Sequence, residues 1–74
     1  MTDRDRVASL PDETPVEELP LRLVTVNRLR RARVQTLGQL RALGDRELLR
    51  LPRFGQHSLA EVRTVVPAPE GQRR

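Results

Sequence analysis

Four positions of this 74-residue chain, Val24, Asn27, Arg28 and Arg31, follow the i, i+3, i+4, i+7 spacing that lines side chains up on one side of a helix. Two guanidinium groups and an amide on one face suit phosphate oxygens, because Arg offers a planar fork of donors rather than a point charge. Arg28 stands one turn along from Val24, about 6 Å of helix rise. An ordinary solvated arginine face would show the same spacing. A second cluster follows at Leu51-Pro52-Arg53-Phe54-Gly55, which reads as a tight hairpin leading into a helix. The start of that helix exposes free backbone N–H groups and the positive dipole end. A phosphate could dock on the N–H groups of Gln56, His57 and Ser58, with Arg53 beside them and the Ser58 hydroxyl as a further donor. The plainer alternative is that Gly55 only permits the turn and Phe54 only fills the core. Glu61 is an acid on a basic surface. It reads as a contact for a protein partner or as the salt-bridge partner of an arginine on the first main helix.

Other chemistries find little support. There is no Cys, and His57 is the only His, so neither a thiolate site nor a histidine-based metal site can be assembled. No Ser-His-Asp set has its members assisted by neighbours, so no enzyme is expected and no cofactor. Glu17 and Glu18 sit at a helix start, where acids complement the dipole. Phe54 is the only aromatic, which argues against single-strand binding by stacked rings. No apolar run approaches the roughly 20 residues of a membrane span. The N-terminus lacks the apolar core of a secretory signal. The expected setting is therefore the cytoplasm, with no membrane partner.

The charge is unevenly placed. The net charge is +4, and all fourteen basic residues are Arg. Residues 1–14 carry four acids against two arginines and read as a disordered arm. Residues 67–74, Pro-Ala-Pro-Glu-Gly-Gln-Arg-Arg, read as a flexible tail. Residues 15–66 hold ten arginines against five acids, so the positive charge belongs to the expected folded part. That balance fits nucleic acid.

Short elements must position these groups. Pro15 opens a turn that Pro20 stops. Leu23, Val26 and Leu29 fall at helical spacing and predict a helix over 24–33. Thr36 and Gln39 form a capping box before a short helix over 37–42. Asp45 can cap another over 46–50. A last helix is predicted over 56–65, with Pro67 beyond it. The fold class is all-α: a compact bundle of four to five short helices. Its expected core is Leu19, Leu21, Leu23, Val26, Leu29, Val34, Leu37, Leu40, Leu43, Leu48, Leu51, Phe54, Leu59 and Val62.

Several motifs then align in order at fixed spacing: Pro15-Val-Glu-Glu-Leu19, Asn27-Arg28-Leu29, Thr36-Leu37-Gly38-Gln39-Leu40, Glu47-Leu48-Leu49, and Phe54-Gly55-Gln56-His57-Ser58-Leu59-Ala60-Glu61-Val62. Over residues 15–65 the sequence resembles the C-terminal domain of the bacterial RNA polymerase alpha subunit. The resemblance implies a helix-hairpin-helix-related bundle. It implies binding to the minor groove of AT-rich promoter DNA, and contacts with RNA polymerase, sigma factor or a transcription regulator. Asn27, Gly55, Ser58 and Glu61 match the family pattern. Val24 stands where the family has its main groove-inserting Arg, and Gln56 and His57 stand where it has two Lys. The expectation is weak, salt-sensitive binding of double-stranded DNA with little AT preference, by a monomer near the nucleoid. Loss of most DNA affinity, leaving a protein-interaction module, is the competing expectation. The family's large assembly domain has no counterpart here, so the sequence reads as a free-standing module or a piece of a longer one.

Overall fold

Caps and prolines set the boundaries of the elements. The computed structural model describes residues 2–69. Its helices are α1 (Asp3–Ala8), α2 (Leu23–Arg31), α3 (Leu37–Arg41), α4 (Asp45–Leu49) and α5 (Gln56–Arg63), with a 3-10 turn at Val16–Glu18. The all-helical bundle is as the sequence predicts. Among the described residues, the extended pairing is a single isolated bridge between Pro15 and Thr36.

The Thr36–Gln39 capping box forms as expected: Thr36 Oγ1 accepts from the Gln39 N–H, and Gln39 Oε1 accepts from the Thr36 N–H. At α4 the cap itself is Gly44, with Asp45 as the first helical residue. The Glu47 carboxylate accepts from the Gly44 N–H at 2.7 Å. Helix α2 ends in a Schellman motif, in which the Val34 N–H reaches the Leu29 carbonyl and the Arg33 N–H reaches that of Arg30. Arg33 takes the left-handed position that usually belongs to glycine, at φ 67°.

The arm expected to be disordered is folded over residues 3–8. Thr2 and Asp5 make a capping box, and Val7 is buried in the common core. Arg41 ties the arm down by donating to Asp12 Oδ1 and to the Val7 carbonyl. The arm lies so close to α3 that a Cβ on Gly38 would sit 2.8 Å from Asp12 Cβ. Glycine is required there by this close approach. The expected tail lies outside the described residues from position 70 onward.

Leu19, Val26, Leu29, Val34, Leu37, Leu40, Leu48, Phe54, Leu59 and Val62 are buried together as predicted, while Leu21, Leu43 and Leu51 pack against them only partly buried. Leu23 is a correction, because it is 74% exposed. Each i, i+3 step rotates a position by about 60°, so the run 23–26–29 drifts off a single face. Thr25 takes the buried place instead. Val7, Val16, Val65 and Val66 complete the core.

Candidate nucleic-acid interface

The outer side of α2 and the hairpin before α5 enclose one groove of about 280 Å³, lined by Val24, Asn27, Arg28, Arg31, Pro52 and Arg53. The structure thus brings Arg53, with Pro52, to the face of Val24, Asn27, Arg28 and Arg31; Gly55, Gln56, His57 and Ser58 do not line this groove. Asn27, Arg31 and Arg53 are exposed, and Arg28 is half-buried. A larger open cleft shares Asn27 and Arg31 and continues toward Gln35 and Thr36.

The hairpin turn is built differently from the sequence expectation. The Phe54 N–H donates to the Leu51 carbonyl, closing a turn with Pro52 second and Arg53 third. Arg53 carries the left-handed φ, 62°. Proline at the second place and a left-handed residue at the third make it a type II turn. Gly55 has an extended φ of −107°, and nothing lies within 4 Å of where its Cβ would be. Gly55 therefore neither permits the turn nor relieves a clash inside the protein. It is the N-cap of α5 and makes no side-chain cap bond. The exposed Gln56 and His57 N–H groups have no acceptor among the described residues.

Ser58 is the second correction. Its side chain is buried, 2% exposed, and its Oγ accepts from Arg28 Nη1 at 3.3 Å. It faces α2, so it offers no free hydroxyl at the helix start.

Glu61 is the third. The salt-bridge reading holds in outline, but the arginine is Arg22, one residue before α2. The Arg22 N–H donates to Glu61 Oε2 at 2.5 Å, Arg22 Nε to Oε1 at 3.1 Å, and Thr25 Oγ1 to Oε1 at 2.6 Å. A carboxylate from α5 thus caps the start of α2, where the side chain of Arg22 supplies no cap of its own. Burial alone would raise the Glu61 pKa. The bonds from Thr25 and from the Arg22 backbone and side chain outweigh it and hold the carboxyl below its usual range. With its carboxylate engaged inside the fold, Glu61 is not a free contact for a partner.

Sequence reasoning missed Pro52 as a groove wall, Thr25 as a buried hydroxyl and the Ser58–Arg28 link. A faint signal for the last was the i, i+3 spacing of Ser58 and Glu61, two polar residues on the inner side of a short helix.

The ion pairs are also distributed unevenly. Arg6, Arg22, Arg30, Arg41 and Arg63 each hold a carboxylate. Among the described residues, the groove arginines Arg28, Arg31 and Arg53 hold none, and no acid lines the groove. No helix among the described residues is long and apolar enough to cross a membrane.

Comparison with known proteins bears on this geometry. The family of C-terminal domains of the bacterial RNA polymerase alpha chain matches residues 4–67. The DNA-directed RNA polymerase alpha subunit of Thermotoga petrophila is 42% identical over 48 residues, 65% of this protein and 14% of the relative. That of Rubrobacter xylanophilus is 36% identical over 55 residues, 74% of this protein and 18% of the relative. That of Frankia alni is 37% identical over 54 residues, covering 73% and 16%. The matched residues thus span less than a fifth of the length of these relatives. No solved structure matches significantly.

Proposed function

The protein belongs to the family formed by the C-terminal domain of the bacterial RNA polymerase alpha subunit, and on that premise we propose that it is a non-enzymatic, transcription-associated module that binds double-stranded DNA through the groove between α2 and the hairpin. The observation that carries this reading is the convergence of Arg28, Arg31 and Arg53 on one groove that no carboxylate lines. Such a site is electrostatically incomplete until it meets phosphates. The exposed Gln56 and His57 N–H groups at the start of α5, just after the hairpin, add donors for an anion. Asn27 and Gly55 complete the face: Asn27 as a polar contact, Gly55 as a place where backbone and phosphate can approach closely. RNA polymerase, sigma factor or a transcription regulator would be the protein partners, in the nucleoid.

One observation favours a second reading, a protein-interaction module with little DNA affinity. Val24 is 42% exposed on the groove and offers neither charge nor donor. The test is a fluorescence titration of the parent and of Val24→Arg on AT-rich and GC-rich duplexes at fixed salt. The DNA reading expects measurable parent binding that weakens as salt rises. It also expects Val24→Arg to bind AT-rich duplex severalfold tighter, since a narrow AT-rich minor groove favours an inserted Arg. No parent binding and no gain in the variant would establish the interaction-module reading instead.

A further inference from the structure

Three arginines of this protein are half-buried among the described residues, and two of them hold a carboxylate and backbone carbonyls. Arg41 holds Asp12 Oδ1 at 2.6 Å and the Val7 carbonyl at 3.1 Å. Arg63 holds Asp45 Oδ1 at 2.7 Å, the Leu43 carbonyl at 3.0 Å and the Val66 carbonyl at 3.2 Å. Arg28 holds one neutral oxygen, Ser58 Oγ, at 3.3 Å. A partly buried charge without a counter-charge is unfavourable, and a single hydroxyl offsets little of that. Arg31 lies one turn away on the same helix and Arg53 across the groove, so like charges add repulsion. Val24 and Pro52 give the groove apolar walls, which strengthen any ion pair formed inside it.

The geometry points to Arg28 as the phosphate-binding residue of the groove and to the buried Ser58 as its positioning residue, acting on DNA only through Arg28. This rests on the duplex-DNA reading and assigns two residues their parts in it. Ser58 occupies one guanidinium N–H and leaves the other donors for the two non-bridging oxygens of a backbone phosphate. The tether fixes the fork before the ligand arrives, so less side-chain freedom is lost on binding. Ser58 itself, 2% exposed, is out of reach of the nucleic acid.

A double-mutant cycle on the full-length protein tests this by titration on one duplex across a salt series. Arg28→Ala weakens binding about tenfold, the worth of one charge-assisted contact. It also flattens the slope of log K against log salt by about 0.9. Ser58→Ala weakens binding severalfold and keeps the parent slope, because it removes no charge. The double variant binds no more weakly than Arg28→Ala alone. Full additivity would overturn the positioning role, since Ser58 would then act independently of Arg28. Arg28→Ala binding like the parent, while Arg31→Ala and Arg53→Ala weaken it, would overturn the inference and leave the DNA reading standing. Parent-like binding by all three would remove both. Thermal melts of each variant confirm that the fold is intact.

Discussion

Arg63 belongs to α5 and Arg28 reaches α5 from α2, yet the two find opposite surroundings. Arg63, in its last turn, gathers a carboxylate and two carbonyls and joins the start of α4 to the residues that follow α5. Arg28 reaches Ser58 in the first turn of α5 and gathers only a hydroxyl. The first environment carries a counter-charge within the folded protein, and the second carries none. A cation's contribution to this fold is thus set by which oxygens the neighbouring elements present, and the groove presents almost none.

The comparison breaks most visibly through Arg63. Arg63→Ala leaves Asp45 and two carbonyls without their donor and should destabilise the protein by about 2–3 kcal/mol, in the range for truncating one partner of a partly buried pair. Urea unfolding measures it. A loss under about 0.5 kcal/mol would mean that the α4–α5 corner is held by packing alone.

Glu61→Gln comes next. It weakens the cap on α2 and should cost about 1–2 kcal/mol at neutral pH. Because the folded-state pKa of Glu61 is lowered, its contribution is fully present above the usual carboxylate range and is lost as the pH falls through the folded pKa. Parent and variant should therefore differ near neutrality and converge as the pH falls through the lowered folded-state pKa of Glu61. A gap that persisted unchanged into acid would show that the carboxylate charge plays no part in the cap.

The smallest effect on stability is expected at Arg53. Its left-handed backbone suits Asn better than Arg, so Arg53→Asn should hold or raise stability, by up to about 1 kcal/mol. The same change should weaken DNA binding, because a groove cation is gone. Lower stability with unchanged binding would reassign Arg53 to the fold.

Much of this was legible in the sequence. The Thr36–Gln39 box, the prolines and the helical spacing in α2 are local signals with local causes, and they put Asn27, Arg28 and Arg31 on one helix face and Arg53 in a turn before α5; that these meet across one groove is a tertiary fact outside their reach. The arm was not legible as structure, because acids and arginines outnumber its apolar residues. Val7 is buried only in the folded protein, where Arg41 of α3 also holds its carbonyl. Ser58 and Glu61 were misread for a related reason. Their partners Arg28, Arg22 and Thr25 lie thirty to forty residues back, and only the packing of α5 on α2 turns two apparent surface groups inward. Leu23 erred the other way, since a rotation drift across one short helix is invisible in a spacing count.

On the duplex-DNA reading, the groove arginines serve a ligand and the paired arginines serve the fold. The most direct measurement is the parallel thermal melting and duplex titration of the triple variant Arg28→Ala, Arg31→Ala, Arg53→Ala. The predicted result is a melting temperature at or above that of the parent, as mutual repulsion is relieved, together with loss of salt-dependent duplex binding. A variant that melts many degrees lower yet still binds duplex DNA like the parent would contradict it.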